Sequence, residues 1–168
     1  MNSLVFKKNL LAVGNITLTV ITATVIPYVY HLLNLTGNIY LPIYLAVLVG
    51  SFIFSTPQII IIALLTPLAN YLISGMPQLS PFPMLQILTI ELIVLSLTSL
   101  YVKKTKLPLI IQIIISILAA RLSSILLILF SSTITFNWWS NHILISIPGI
   151  ILNSILCYLI LWKFDVQR

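Results

Sequence analysis

The apolar positions of this chain form long unbroken runs separated by short polar breaks, with neither strict alternation nor a polar face at helical spacing. A helix needs about 20 apolar residues to cross a bilayer. The first run covers 9–32 and ends at the polar break Asn34 to Asn38. The stretch 39–73 is too long for one helix and is interrupted at Gly50-Ser51 and at Ser55-Thr56-Pro57. It predicts two shorter helices, 39–54 and 57–73, joined by a tight turn. The segment from Ser74 to Pro83 holds Gly75 and the prolines 77, 81 and 83, which mark a structured loop. A fourth helix is predicted over 84–102, stopped by lysines. A fifth covers 107–130, with Pro108 tolerated in its first turn. A polar, aromatic loop over 131–142 follows, and a sixth helix over 143–162 is expected to kink near Pro148-Gly149. The pattern predicts an all-α membrane protein: one domain over 1–168, built as a bundle of about six transmembrane helices.

Composition sharpens this picture. Only 6% of residues are charged and 60% are hydrophobic, whereas a soluble domain carries roughly a quarter charged residues. The mean hydropathy of +1.19 agrees. Such a chain has no polar coat to offer water. The formal net charge of +6 sits at the edges of the apolar runs: Lys7 and Lys8, then Lys103, Lys104 and Lys106, then Lys163 and Arg168. Each cluster is too small for a nucleic-acid surface. An even number of spans brings all three clusters to one face, which the positive-inside rule assigns to the cytoplasm together with both termini. Five spans would split them. The N-terminus resembles a signal peptide, but its apolar run is long and equally apolar runs follow, so retention is expected. The single cysteine, Cys157, precludes an internal disulfide and a cysteine-based metal site.

Two ionisable residues fall well inside the runs, Glu91 and Arg121. Charge near the bilayer centre costs several kcal/mol, about 2.5–3.5 on insertion scales, so each needs a reason to be there. With about 1.5 Å of rise per residue, Glu91 lies roughly 10 Å and Arg121 roughly 14 Å from the outer ends of their helices. They are at matching depth for a direct pair or for a shared ligand cavity, with proton coupling a third use. Asn70 and Thr66 on the third helix, Asn153 on the sixth, and Ser124 and Gln86 add polar groups to this outer half. Trp138 and Trp139 suit an interfacial aromatic belt or a lid over a ligand. His31 and His142 stand at outer helix ends without the partners that a metal site requires. Thr19 and Ala23 give a small-xxx-small spacing on the first helix, which permits close approach of another helix. The chain has two acidic residues in all and none of the nucleophile, zinc, phosphate-loop or dinucleotide motifs. The expectation is no enzyme, no catalytic or metal-binding residue, no cofactor, and no ATP hydrolysis by this chain itself.

The run Thr66-Pro67-Leu68-Ala69-Asn70-Tyr71-Leu72-Ile73-Ser74-Gly75-Met76-Pro77, followed by Pro83-Met84 and Glu91-Leu92, resembles the central stretch of the S components of energy-coupling factor (ECF) transporters. Members of that family carry a Pro-Leu-Leu-Ser helix, a Thr-Gly-Met-Pro loop and a following helix with a Glu-Leu pair. The close likeness covers about 50–92; size, span pattern and basic C-terminus agree beyond it. The resemblance implies a substrate-specific capture subunit of the bacterial cytoplasmic membrane, taking a vitamin-like small molecule into the outer half of the bundle. It implies a transmembrane coupling protein and two cytoplasmic ATPase subunits as partners. Pro67, Gly75, Met76, Pro77 and Glu91 match motif positions. The glycines that many relatives carry at the turn between helices two and three are missing. On the first helix, Thr19 and Ala23 stand where many relatives use an alanine motif to dock the coupling protein. The expected ligand set is Glu91, Arg121, Asn70, Asn153, Trp138, Trp139 and Met76. One acid, one base, amides and tryptophans suit a zwitterionic or carboxylate-bearing heteroaromatic compound, and equally several unrelated vitamins. Two other readings fit the composition: a self-sufficient secondary transporter or channel, and a membrane scaffold that binds no small molecule. The first would favour internal repeats, which the sequence lacks.

Overall fold

The computed structural model describes residues 3–35, 37–75, 77, 83–129 and 134–163. Among these the chain is helical, with no strand. The helices are α1 (Ser3–Leu32), the single turn α2 (Gly37–Tyr40), α3 (Pro42–Ile53), α4 (Thr56–Ser74), α5 (Met84–Val102), α6 (Leu109–Ser123), α7 (Phe136–Ile145) and α8 (Ile147–Lys163). A 3-10 stretch, Ser124–Leu129, extends α6.

The molecule is built inside out relative to a soluble protein. Leu72 and Ile73 on α4, Leu97 and Tyr101 on α5, and Leu122 on α6 are exposed. Ser51, Thr66, Ser96, Ser99, Gln112 and Ser116 are buried. Hydrocarbon leaves leucine on the outside at no cost, whereas every polar group there must find a partner within the protein. The buried serines do so locally: Ser96 Oγ donates to Leu92 O at 2.8 Å, Ser99 Oγ to Leu95 O at 2.7 Å and Ser116 Oγ to Gln112 O at 2.8 Å. Once satisfied, these small side chains let backbones approach closely. They lie on α5 and α6, the most extensively packed helix pair.

Four helices are long and apolar enough to cross a membrane: Leu10–Leu32, Thr56–Ser74, Met84–Val102 and Leu109–Leu126. α7 and α8 qualify jointly as a fifth, bent by 44° at Ser146. The chain therefore fits a multi-pass membrane protein. The stretch 39–54 departs from expectation. It yields α2 and a 12-residue α3, about 18 Å long, well short of a hydrocarbon core of about 30 Å. By length and apolar composition the described residues hold four spans, or five with α7 and α8 taken together. The segment 131–142, expected as a loop, is helical from Phe136 onward. Thr135 caps it, its Oγ1 accepting from Trp138 N at 3.2 Å. The bend expected at Pro148-Gly149 falls at Ser146 instead, and Pro148 lies in the first turn of α8, where a missing N–H is harmless.

The expected tight turn at Ser55-Thr56-Pro57 is present. Ser55 N donates to Gln58 Oε1 at 3.0 Å, and Pro57 sits in the first turn of α4. At its other end α4 stops at Gly75, whose φ of 70° is left-handed and favours glycine. At the end of the bundle where α5 stops, Lys103 Nζ donates to Ser51 O, in the last turn of α3, at 3.3 Å. Burial and the neighbouring Lys104 hold this ammonium below the usual lysine range. The opposite end, where α1 and α4 stop and α5 begins, carries the polar side chains of interest.

Candidate functional site

Two prolines shape the helices around that end. Pro27 lies inside α1 and has no N–H, so the carbonyl four residues back, Ala23 O, loses its helical partner. Asn70 on α4 fills the gap: its Nδ2 donates to Ala23 O at 3.2 Å and to Thr66 O at 2.9 Å. Asn70 is thus a surrogate for the amide that Pro27 lacks, and it holds α1 against α4. Ala23 is fully buried in this contact. It belongs to the packing within the chain and does not present a face to a partner. Thr19 is half-buried, and its hydroxyl donates to Asn15 O on its own helix.

Glu91 and Arg121 meet directly. Arg121 Nη1 donates to Glu91 Oε2 at 2.8 Å and to Oε1 at 2.9 Å. Both residues are 1% exposed. Tyr44 on α3 completes the group, its hydroxyl donating to Glu91 Oε2 at 2.5 Å, and its ring faces the guanidinium with 6.0 Å from Cζ to the centroid. Arg121 Nη2 donates to His142 O on α7 at 3.0 Å. The ion pair and its hydrogen-bond partners therefore tie α3, α5, α6 and α7 together. Two buried polar atoms among the described residues have no partner: Arg121 Nε and Thr66 Oγ1.

Beside this group lies a cavity of about 520 Å³, within the range of roughly 300–1,000 Å³ usual for small-molecule sites. The last turns of α1 (Pro27, Tyr28, His31) and the start of α3 (Leu41 to Tyr44) form one side. Asn70 and Ser74 of α4, with Met84, Ile87 and Leu88 of α5, form another. Glu91, Arg121 and His142 complete the lining.

Of the residues expected to contact a ligand, Glu91, Arg121 and Asn70 share this cavity. Asn153 does not. Its Nδ2 donates to Tyr40 O at 2.9 Å, Leu41 O at 3.3 Å and Gly149 O at 2.7 Å, anchoring the α2–α3 junction to α8. Trp139 is turned inward, its Nε1 donating to Ser124 Oγ at 3.2 Å. Trp138 stacks on His142 with centroids 4.9 Å apart and borders a separate, smaller depression. Met76 lies outside the described residues. Sequence reasoning missed Tyr44, an ordinary tyrosine in an apolar run, and the cavity-lining role of His31 and His142. Tyr44 had one available signal: a hydroxyl deep in an apolar run needs an acceptor, and Glu91 is the only carboxylate inside a run.

No family model, no curated protein and no solved structure matches this chain.

Proposed function

We propose that this chain is the substrate-capture subunit of an ATP-driven importer of the ECF type, binding a vitamin-like small molecule in the cavity beside Glu91 and Arg121. The observation that carries the proposal is a cavity of ligand size lined in part by a buried Tyr44–Glu91–Arg121 group. The resemblance over 50–92 supplies the type of transporter. On this reading the protein sits in a bacterial cytoplasmic membrane as a six-passage bundle, with α3 a short passage shielded by its neighbours and both termini cytoplasmic. A transmembrane coupling protein and two ATPase subunits supply the energy. Docking falls to α1, whose membrane-spanning stretch is only 11% buried within the chain, on the face that bears Thr19.

A thermal-shift screen of the detergent-purified chain tests this against thiamine, riboflavin, biotin, nicotinate and pantothenate. A ligand that binds only the folded state raises stability by about 2.7 kcal/mol at 100 times its dissociation constant. A shift with one compound, lost in Glu91→Gln, is the expected result. A second reading, a scaffold subunit without a ligand, draws on the same ion pair, because Glu91 and Arg121 largely satisfy each other. No shift with any compound moves the assignment there.

A further inference from the structure

The charges available to a ligand in the cavity are limited by the whole sequence. The chain has two acidic residues, Glu91 and Asp165. Asp165 lies outside the described residues. No undescribed residue between α1 and α7 is acidic. Among the described residues Glu91 is therefore the one carboxylate that could face a ligand, and it is already engaged. Its Oε1 accepts from Arg121, and its Oε2 accepts from both Arg121 and Tyr44. The other side chains on the cavity wall, His31, His142, Tyr28 and Tyr44 among them, include no further carboxylate.

Donors, by contrast, are left over. A guanidinium has five N–H groups. Nη1 uses both of its own on Glu91, Nη2 gives one to His142 O, and Nε has no partner although Arg121 is 1% exposed. Arg121 lines the cavity, and a guanidinium N–H not used on Glu91 or His142 suits a ligand oxygen or ring nitrogen there. Tyr28 and the two imidazoles add ring surfaces, and Leu41, Ile87 and Leu88 add apolar area.

We infer, resting on the capture reading, that the cavity selects a ring-bearing ligand that presents hydrogen-bond acceptors and carries no net positive charge, and that it rejects cations. A cation entering here would lose its hydration and meet Arg121 without a free counter-charge. The zwitterion allowed by the residue types alone fails for the same reason, since its ammonium finds no partner.

Matched probes test this on the full detergent-purified chain by thermal shift and calorimetric titration. One triplet is indole-3-acetate, indole-3-acetamide and tryptamine; the second is pyridine-3-carboxylate, pyridine-3-carboxamide and 3-(aminomethyl)pyridine. Within each triplet the ring is constant and the group is an anion, a neutral amide or an ammonium. The expected result is that any binding triplet favours the carboxylate or amide over the ammonium by at least tenfold in Kd. An ammonium member that binds equally or better overturns the inference while leaving capture intact, and thiamine as the one binder from the vitamin panel does the same. Silence from both triplets, with riboflavin or biotin as the panel's binder, supports it, whereas the acyclic pantothenate as the one binder overturns the ring requirement. Silence from both triplets and the panel removes the capture reading and this inference with it. Arg121→Gln frees Glu91, so in a variant that still elutes as a single folded peak the preference shifts toward the ammonium member. An unchanged preference in that variant counts against Arg121 as its source.

Discussion

Gly149→Ala is the substitution whose consequence follows most directly from the coordinates. A Cβ at position 149 would sit 2.3 Å from Ile39 O, 2.8 Å from the Tyr40 carbonyl carbon and 3.0 Å from Tyr40 Cα. Contacts of carbon with carbonyl oxygen lie at about 3.3–3.6 Å, so α8 and the 37–41 segment must separate by about 1 Å. All three neighbours are backbone atoms, and no change of rotamer relieves them. Forced overpacking of this kind costs about 1–3 kcal/mol. The same displacement stretches the Asn153 bonds to Tyr40 O and Leu41 O, 2.9 and 3.3 Å in the native structure. Hydrogen bonds between membrane helices average about 0.6 kcal/mol and reach about 1.7. The combined expectation is a loss of about 2–4 kcal/mol, read by SDS titration in mixed micelles with tryptophan fluorescence as the signal. Gly14→Ala is the control, because nothing lies within 4 Å of its new Cβ, and helix propensity alone would stabilise it by up to about 1 kcal/mol. If Gly149→Ala unfolds within about 0.5 kcal/mol of the parent chain, a magnitude within the scatter expected of a surface change, the close approach of α8 to α2 is wrong.

Two further predictions concern the polar groups at the cavity end. Asn70→Ala strands the Ala23 carbonyl and should destabilise the chain by about 1–2 kcal/mol. In a Pro27→Ala background the residue-27 amide returns, so the cost should fall by half or more in a double-mutant cycle; equal costs in both backgrounds would refute the surrogate role. Tyr44→Phe removes a donor to a buried carboxylate, a bond of the class worth about 1.5–3 kcal/mol. The same SDS titration should show that loss, and a Tyr44→Phe chain as stable as the parent would mean the hydroxyl does not hold Glu91.

How far the site was legible varies from residue to residue. Depth along a straight helix is a one-dimensional quantity, so the matching levels of Glu91 and Arg121 follow from counting residues. Rotation about the helix axis and the identity of the neighbouring helix are not recorded in a nearly uniform apolar run. For that reason Asn153, at a depth like that of Arg121, turns out to face the α2–α3 junction, and Trp139 turns inward to Ser124. Spacing and the likeness to the family's alanine motif suit Ala23 to a docking face, but the same small side chain serves equally well for packing inside the chain, where it is buried.

The sequence pattern is enough to set the solvent of this protein: long apolar runs with only Glu91 and Arg121 charged inside them cannot fold in water, and backbone hydrogen bonding in hydrocarbon leaves helices as the form they take. It also marked the turn before α4 and the glycine that ends it, because proline and left-handed glycine act locally. Tertiary structure alone decided that Pro27 and Asn70, 43 positions apart in the sequence, complete one hydrogen bond. It also decided that Tyr44 reaches Glu91, and that the 39–54 stretch becomes a short helix enclosed by its neighbours. Each of these depends on which helices are adjacent, and in a membrane that choice is made by close packing and the pairing of a few buried polar groups, not by hydrophobicity, which is the same on every side.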